Sequence, residues 1–366
     1  DGSSQGFDNL AEALAVSPSL IQGYVSAAMK ISRLAVGDRS LPPSQTTFAP
    51  PAGLAQDRHI DGLPLGTRGG VIFHHTFPLD AEYEFSLGGR GGAPGALDLT
   101  IDGTQLKVDN PRGFPITVTA GPHDIGVALV DRQRGAGVDE IYSDFRTNAT
   151  FTTPGGIPTL VVTGPFNATG AGDTPSRRAI FSCKPTSSSE ETCARTILTT
   201  LARRAYRGPV STAEINTLFD FYRQGRKAGD FENGIQQAQA RILVAPRFVY
   251  RIEEEPATTA SGQVYRISNV ELASRFSFFL WCSIPDNELR DIAAKGRLRD
   301  PQTLAQQVKR MVADPKADAL VENFAGQWLY LRELENVQNE AKNFHENLRR
   351  SFRRETEMIF NAIIRE

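Results

Sequence analysis

Residues 267–331 read ISNVELASRFSFFLWCSIPDNELRDIAAKGRLRDPQTLAQQVKRMVADPKADALVENFAGQWLYL, and this stretch predicts a compact helical module. Ser268 or Asn269 is suited to cap the first helix, because its side-chain oxygen can accept unpaired backbone N–H groups. The Asp-Pro pairs at residues 300–301 and 314–315 predict two further helix starts, since proline suits the first helical turn.

Apolar residues recur at helical spacing in the first and last helices of this module. One stripe consists of Leu272, Phe276, Phe279 and Leu280, and the other of Leu320, Phe324, Trp328 and Leu331. Spacings of three and four place the members of a stripe on one helix face. We therefore expect both stripes to be buried, and we expect Trp281 and Cys282 to lie in the core with them.

The preceding residues, 191–253, predict another set of helices. Ser211-Thr212-Ala213-Glu214 is a capping-box sequence, in which the hydroxyl and the carboxylate each satisfy a backbone N–H group at a helix start. Pro246 marks the end of a later helix, because the residue before a proline disfavours helical backbone angles.

These two helical regions resemble a known family. ELASRFSFFLWCSIPDNEL, GRLRDP and LVENFAGQWLYLREL are similar to one domain of the planctomycete-specific-domain proteins, and LARRAYRGPVSTAEI with FENGIQQAQARILVAPRFVYRIE resembles the domain that precedes it there. These are large secreted proteins of unknown function that usually also carry c-type cytochrome segments. The resemblance implies a c-type-cytochrome-linked oxidoreductase that acts on or near polysaccharide.

Composition and motifs limit the number of domains and the classes of partner and cofactor. The chain has 366 residues, 40% of them hydrophobic, which is enough for two or three domains. A formal net charge of −2 argues against nucleic acid as the partner. No apolar run approaches the ~20 residues that cross a bilayer. There is no C-x-x-C-H motif, so no covalent haem is expected in this chain, and any c-type haem would belong to missing segments.

Both ends of the sequence look cut. The first residues, DGSSQGFDNL, are not a signal peptide, and SFRRETEMIFNAIIRE predicts a helix that runs to the last residue. We therefore expect a piece of a longer protein, with residues 1–38 as the helical remnant of another domain. The missing segments, or a partner subunit, are the expected partners at these ends.

Between the helical regions, period-two alternation of apolar and polar residues predicts short strands over residues 52–165. Asp102-Gly103 is a hairpin signal. Several strands at such short spacing predict an antiparallel, jelly-roll-like β-sandwich. Residues 39–51 are rich in proline and are expected to be a linker.

The strand region also resembles calcium-dependent, xylan-type carbohydrate-binding modules, through LDLTIDGTQLKV, VTAGPHDIGVALVDR and DEIYSDF. The resemblance implies a calcium ion and a polysaccharide ligand. Candidate calcium ligands are Asp131, Asp139, Glu140 and Asp144. Calcium prefers such oxygen ligands. The alternative is that these acids are solvated loop charges. The region departs from the pattern because Arg132 and Arg134 bring two cations beside these acids, and because it has no tryptophan to stack on a sugar ring.

Cysteine spacing bears on the compartment. Cys183 and Cys193 flank a polar segment at the end of an expected linker, residues 166–190. We predict a disulfide between them, and the alternative is two unpaired thiols. A disulfide fits a periplasmic or extracellular protein.

No catalytic constellation emerges from the sequence, so whether the chain is an enzyme stays open. His74 and His75 are adjacent in a predicted strand, where their side chains point to opposite faces and cannot share one metal.

The predicted fold is therefore α+β and multidomain, with the sandwich flanked by helical modules at residues 191–255 and 256–366. The leading interpretation is a binding or scaffold portion of a secreted protein. The alternatives are a structural subunit of a cell-surface or membrane-associated complex, and an enzyme domain with its site between sandwich and helices.

Overall fold

A computed structural model describes residues 17–50, 60–64, 70–88, 97–108, 110, 112–129, 159–186, 188–256, 259–260, 262–335 and 346–365. The chain divides into two compact units, residues 33–179 and residues 1–32 with 180–366. The fold is an α+β mixture, as predicted, and the two units are best described separately.

The unit at residues 33–179 is a β-sandwich. Its strands are β1 (Ser44–Phe48), β2 (Val71–Phe77), β3 (Asp80–Gly88), β4 (Leu97–Ile101), β5 (Thr104–Leu106), β6 (Phe114–Val118), β7 (Gly121–Leu129) and β8 (Thr159–Gly170). They form two antiparallel four-stranded sheets, ordered β1-β8-β3-β6 and β2-β7-β4-β5. This nested pairing of first with last strands is the jelly-roll arrangement.

Residues of both sheets share one hydrophobic core. Phe85 and Leu160 of one sheet are buried with Leu99 and Ile125 of the other, and each has a relative exposure of 0%. Alternate residues along each strand face this core, as expected for packed sheets. The predicted Asp102-Gly103 hairpin is confirmed, since both residues have positive φ angles and join β4 to β5.

The segment predicted as a Pro-rich linker, residues 39–51, contains strand β1. Its residues pair with β8 from Ser44 opposite Gly164 to Phe48 opposite Leu160, and Phe48 packs against the core. Two threonines and a phenylalanine in SQTTF favour a strand, and the flanking prolines obscured this signal.

The helices before the final module lie where the sequence predicts helices, except for α2, which lies within the expected linker at residues 166–190. They are α1 (Pro18–Val36), α2 (Pro175–Ile180), α3 (Glu190–Ala205), α4 (Thr212–Ala228), α5 (Phe231–Leu243) and α6 (Pro246–Val249). The predicted capping box at Ser211 and Glu214 is present. Gly37, at a φ of 71°, follows α1 in the left-handed conformation that glycine adopts readily.

The final module begins with α7 (Asn269–Trp281), α8 (Asn287–Ala294) and α9 (Pro301–Ala313). A 3-10 turn (Pro315–Ala317) leads to α10 (Asp318–Leu320), a π-helical turn (Val321–Ala325), α11 (Gly326–Trp328), a second 3-10 turn (Leu331–Glu335) and α12 (Glu346–Arg365). Ser268, Asp300 and Asp314 cap these elements, as the sequence predicts.

Three residues predicted to be buried in this module are exposed. Trp281 is in the core at 3% exposure, but Trp328 is 56% exposed and Phe279 is 58% exposed. Cys282 is also exposed, because α7 ends at Trp281 and Cys282 takes a left-handed conformation beyond the helical stripe. The expectation that all three lie in the core is therefore wrong.

Candidate functional site

A groove of about 690 Å³ lies within the helical unit. It is bordered by the turn that follows α3, the extended segment after α6, helix α7, and the π-helical turn with α11. Representative lining residues from these four elements are Tyr206, Tyr250, Phe278 and Phe324. Such a concave surface with mixed aromatic and polar lining is the usual setting of a small-molecule or saccharide site.

Arg207 holds one wall of the groove together. Its guanidinium donates to the carbonyl oxygens of Arg247 (2.6 Å), Tyr250 (2.8 Å) and Phe248 (3.3 Å), and more distantly to that of Ala205 (3.5 Å). Only 8% of Arg207 is exposed. These bonds fasten the segment after α6 to the end of α3, so Arg207 is a positioning residue.

Burial lowers the pKa of the Arg207 guanidinium, and the positive charges of Arg251 and Arg247 lower it further. Arginine still remains protonated, because its ordinary pKa lies far above neutrality. The groove wall therefore contains a buried positive charge whose hydrogen bonds to described residues all go to neutral carbonyl groups.

Two ion pairs fix the rim of the groove. Arg247 Nη1 lies 2.5 Å from a carboxylate oxygen of Glu214, and Arg275 makes a paired contact with Glu253, with Nη2 at 2.5 Å. The first pair joins α6 to α4, and the second joins the extended segment after α6 to α7. Both are partly exposed, so they position the chain more than they stabilise it.

Glu271 has a structural role at the head of α7. Its carboxylate accepts the N–H groups of Ser268 (2.6 Å) and Glu254 (2.7 Å). Although burial raises the pKa of the Glu271 carboxyl, these hydrogen bonds outweigh it and the pKa is lowered overall. The carboxylate therefore anchors both the helix start and the segment that lines the groove.

Arg251 and Glu254 remain available to a ligand. The Arg251 guanidinium lies over the Phe278 ring at 4.8 Å, and within the described part of the chain it makes no ion pair. The Glu254 carboxylate likewise has no side-chain partner among the described residues. The groove thus presents one donor group and one acceptor group of opposite charge.

Three aromatic rings extend from the groove along one edge. Phe279 and Phe324 line it, with ring centroids 5.8 Å apart, and Trp328 stacks on Phe324 at 5.8 Å with an interplanar angle of 28°. We call Phe279, Phe324 and Trp328 the aromatic ladder. Two of its members are more than half exposed, and exposed aromatic clusters of this kind mark interaction surfaces.

The predicted calcium ligands Asp131, Asp139, Glu140 and Asp144 lie outside the described residues. Among the residues that are described, no group of three or more His, Cys, Asp or Glu side chains could hold a metal ion. Calcium binding by the sandwich therefore stays a prediction.

The histidines of the sandwich are arranged as the strand geometry requires. His74 faces Asp124, with Nδ1 at 2.5 Å from the carboxylate, whereas His75 lies opposite His123 on the other face. Burial lowers the pKa of His75, and the charge of His123 lowers it further. The prediction that His74 and His75 cannot share a metal is consistent with this geometry.

The predicted pairing of Cys183 with Cys193 is confirmed, since the two residues form a disulfide. Disulfides are typical of proteins that fold outside the reducing cytoplasm. Across the described residues, no helix has both the length and the apolar character needed to cross a membrane.

Sequence reasoning did not identify the groove. Arg207 and Arg251 were overlooked because their partners are carbonyl groups or an aromatic ring, which leave no sequence signature. Phe279 and Trp328 of the aromatic ladder were mistaken for core residues, since they follow helical spacing.

Three protein-family models match the chain. PSD4, described as a protein of unknown function (DUF1592), matches residues 267–366. PSD5, a protein of unknown function (DUF1595), matches residues 193–253, and PSD3, a protein of unknown function (DUF1587), matches residues 1–37. The groove is lined by residues of the PSD4 and PSD5 matches and of the segment between them. No curated protein and no solved structure matches the chain.

Proposed function

Because the chain belongs to the planctomycete-specific-domain family of proteins of unknown function, we propose that it is the polysaccharide-binding portion of a multidomain protein of the periplasm or cell exterior. The groove of the helical unit is the proposed binding site. The aromatic ladder is the observation that carries this proposal.

A sugar ring has an apolar face of C–H groups and an edge of hydroxyl groups. The ladder offers stacked rings to the apolar face, and the exposed tryptophan provides the largest of them. Arg251 and Glu254 offer a donor and an acceptor for hydroxyl groups beside the rings. The rings would supply most of the affinity, and the two charged groups would orient the saccharide.

The charges of the groove favour a neutral saccharide over a strongly anionic one. Arg247 and Arg275 are paired with carboxylates, and the remaining cations are accompanied by Glu254 and Glu271. The groove therefore has little net charge. Binding that depends on stacking rather than on charge should change little with salt concentration.

The family resemblance supports a wider role, in which c-type cytochrome segments of the same protein oxidise or reduce near the bound polysaccharide. This chain has no C-x-x-C-H motif, so such segments would lie outside it. Within the chain we propose recognition of the polymer rather than catalysis, and the disulfide supports a periplasmic or extracellular location.

The proposal is tested by calorimetric titration of the chain with a xylan-type hexasaccharide, in calcium and again in EDTA. Trp328→Ala and Phe279→Ala should each weaken binding about tenfold, since an aromatic contact contributes roughly 1 kcal/mol or more beside its buried area. Phe352→Ala is the matched control, because Phe352 is an exposed aromatic residue on α12 that does not line the groove.

EDTA removes calcium, so it distinguishes binding in the groove from calcium-dependent binding at the predicted sandwich site. Binding that survives EDTA and is lost in Trp328→Ala supports the groove. Binding that disappears in EDTA or in Asp144→Ala, and is retained in Trp328→Ala, would place the saccharide on the sandwich and overturn the groove proposal.

A structural subunit is the second candidate, because one face of α12 is apolar and exposed. Met358, Ile359 and Ile363 are each more than half exposed on this helix. Such a face favours contact with another protein surface. Light scattering at increasing concentration tests this candidate, which predicts self-association or capture of a partner through α12 and no saccharide binding.

A further inference from the structure

A second cavity of about 270 Å³ lies in the helical unit, between α3 and α8. Thr199, Thr200 and Arg203 of α3 and Asn287, Arg290 and Asp291 of α8 line it. This cavity differs from the groove in its charge and contains no aromatic side chain among its lining residues.

From this geometry we infer that the cavity binds a divalent tetrahedral oxyanion, sulfate or phosphate, through the guanidinium groups of Arg203 and Arg290 with Arg204 beside them. We call Arg203, Arg204 and Arg290 the arginine cluster. This inference goes beyond the proposed saccharide site and does not depend on it.

The arginine cluster is not neutralised by the protein. Within the described part of the chain, Arg203 and Arg204 make no side-chain hydrogen bond or ion pair. Arg290 donates to the amide oxygen of Asn287 and to the carbonyl oxygen of Asp286 (3.4 Å), and both of these acceptors are uncharged. Arg203 and Arg290 therefore line the same cavity, and among the described residues no carboxylate is bound to them or to Arg204.

Acids close to the cluster do not cancel its charge. The Asp286 carboxylate is occupied by Arg310, at 2.7 Å and 3.2 Å. Asp291 lines the cavity but forms no ion pair with Arg290. The lining holds two arginines and one carboxylate, Asp291, so it is net positive, and Arg204 adds a further positive charge close to Arg290. This excess of positive charge favours an anion.

The surroundings of Arg290 favour an added anion. Burial lowers the pKa of the Arg290 guanidinium, and the positive charges of Arg204 and Arg203 lower it further. A bound anion would relieve both effects, because it would replace lost hydration and offset the repulsion between like charges. Guanidinium groups are also well suited to the paired oxygen atoms of sulfate and phosphate.

Hydroxyl and amide groups complete the site. Thr200 donates its hydroxyl to the carbonyl oxygen of Thr196, whereas the hydroxyl of Thr199 has no intramolecular partner among the described residues. Thr199 and Asn287 can therefore hydrogen-bond to oxygen atoms that the arginines leave uncovered. The cavity is small, so it suits one such anion or the charged end of an ester.

Calorimetric titration with sodium sulfate, and separately with sodium phosphate, tests the inference at constant ionic strength set by sodium chloride. The wild-type chain should give a saturable signal with one site. Arg203→Gln should weaken binding about tenfold, as expected for loss of one charge-assisted hydrogen bond, and Arg203→Gln with Arg290→Gln should abolish it. Lys309→Gln is the control, because it also removes one positive charge. Lys309 is exposed and does not line the cavity.

A sulfated monosaccharide, titrated in the same way, distinguishes a free ion from an ester. Tighter binding of the ester than of sulfate identifies an ester ligand, and equal or weaker binding identifies the free anion; both outcomes support the site. The inference is overturned if neither anion binds, or if the Arg203→Gln and Lys309→Gln variants bind equally well. Circular dichroism of each variant shows that the fold is retained.

These outcomes are independent of the saccharide groove. Arg203→Gln leaves the aromatic ladder unchanged, and Trp328→Ala leaves the arginine cluster unchanged. Either site can therefore fail its test while the other passes.

Discussion

Replacing Arg207 with methionine should destabilise the helical unit strongly. Methionine is similar in length and apolar, so it can fill much of the space that the buried arginine occupies. It cannot donate hydrogen bonds. The carbonyl oxygens of Arg247, Phe248 and Tyr250, bonded at 2.6–3.3 Å in the wild type, would lose the charged donor.

The size of the effect follows from these three bonds. Leaving a buried acceptor without a partner costs about 1–3 kcal/mol. Three unpaired carbonyl groups should therefore lower the free energy of unfolding by at least about 3 kcal/mol, provided that water does not reach them. That is a large share of the stability of a typical domain, which is about 5–15 kcal/mol.

Tryptophan fluorescence during urea unfolding is the appropriate measurement. The only two tryptophans of the chain, Trp281 and Trp328, both belong to the helical unit, so the signal does not include the sandwich. The free energy of unfolding is then obtained by linear extrapolation, with the slope compared between variants. A matched control is Arg203→Met, which changes the same residue type at an exposed position four residues earlier and should shift stability by no more than about 0.5 kcal/mol.

A loss below about 1 kcal/mol in Arg207→Met, at unchanged slope, would refute the reasoning. It would mean that water or a shifted side chain satisfies the three carbonyls. If the loss is as expected, saccharide affinity should also fall, because the freed segment carries Arg251 and Glu254.

Three further changes have defined outcomes. Cys193→Ala should lower the free energy of unfolding by about 2–3 kcal/mol under oxidising conditions, as expected for the short loop that the Cys183–Cys193 disulfide closes. Reduction should remove the difference from wild type, because it breaks the same cross-link. For His75, whose folded-state pKa lies below its ordinary 6.5, protonation favours the unfolded chain; the calorimetric stability of the sandwich should therefore fall as pH drops below about 6.5, and less so in His75→Leu. Gly234→Ala should destabilise by roughly 1–3 kcal/mol in urea unfolding, since the added methyl group would lie 2.6 Å from the Tyr222 ring, and a gain in stability would contradict this packing.

Local signals in the sequence predicted much of the fold. The caps at Ser211, Ser268 and Asp300, and the Asp102-Gly103 hairpin, each depend on residues within a few positions of one another. The interactions that form such features occur within one short segment, so the sequence of that segment is enough to predict them. Period-two alternation similarly predicted the sandwich, although its first strand was hidden among prolines.

The exposure of Trp328 shows where helical periodicity stops being informative. Leu320, Phe324 and Trp328 would share one face of a regular α-helix. The π-helical turn Val321–Ala325 inserts one residue into a turn, so the residues after it rotate by roughly 100° about the axis. Trp328 consequently leaves the buried face that Leu320 occupies, and π-helical turns of this kind are frequent at functional sites.

Long-range contacts explain the remaining failures. Arg207 binds carbonyl groups 40–43 residues away, and any residue type can supply a carbonyl oxygen. A sequence therefore reveals neither the partner nor the buried position of the arginine. The position of Phe279 was likewise not predictable, since an apolar residue at helical spacing gives the same sequence pattern whether it faces the core or a groove.

One short motif links the two proposed sites. Residues 203–209, at the end of α3, supply Arg203 to the oxyanion cavity and Tyr206 and Arg207 to the groove, while Pro209 lines both. Gly208 makes this possible, because a Cβ atom there would lie only 2.8 Å from the Val270 side chain of α7. The close approach brings the end of α3 against the final module, so the two cavities form on either side of the same contact.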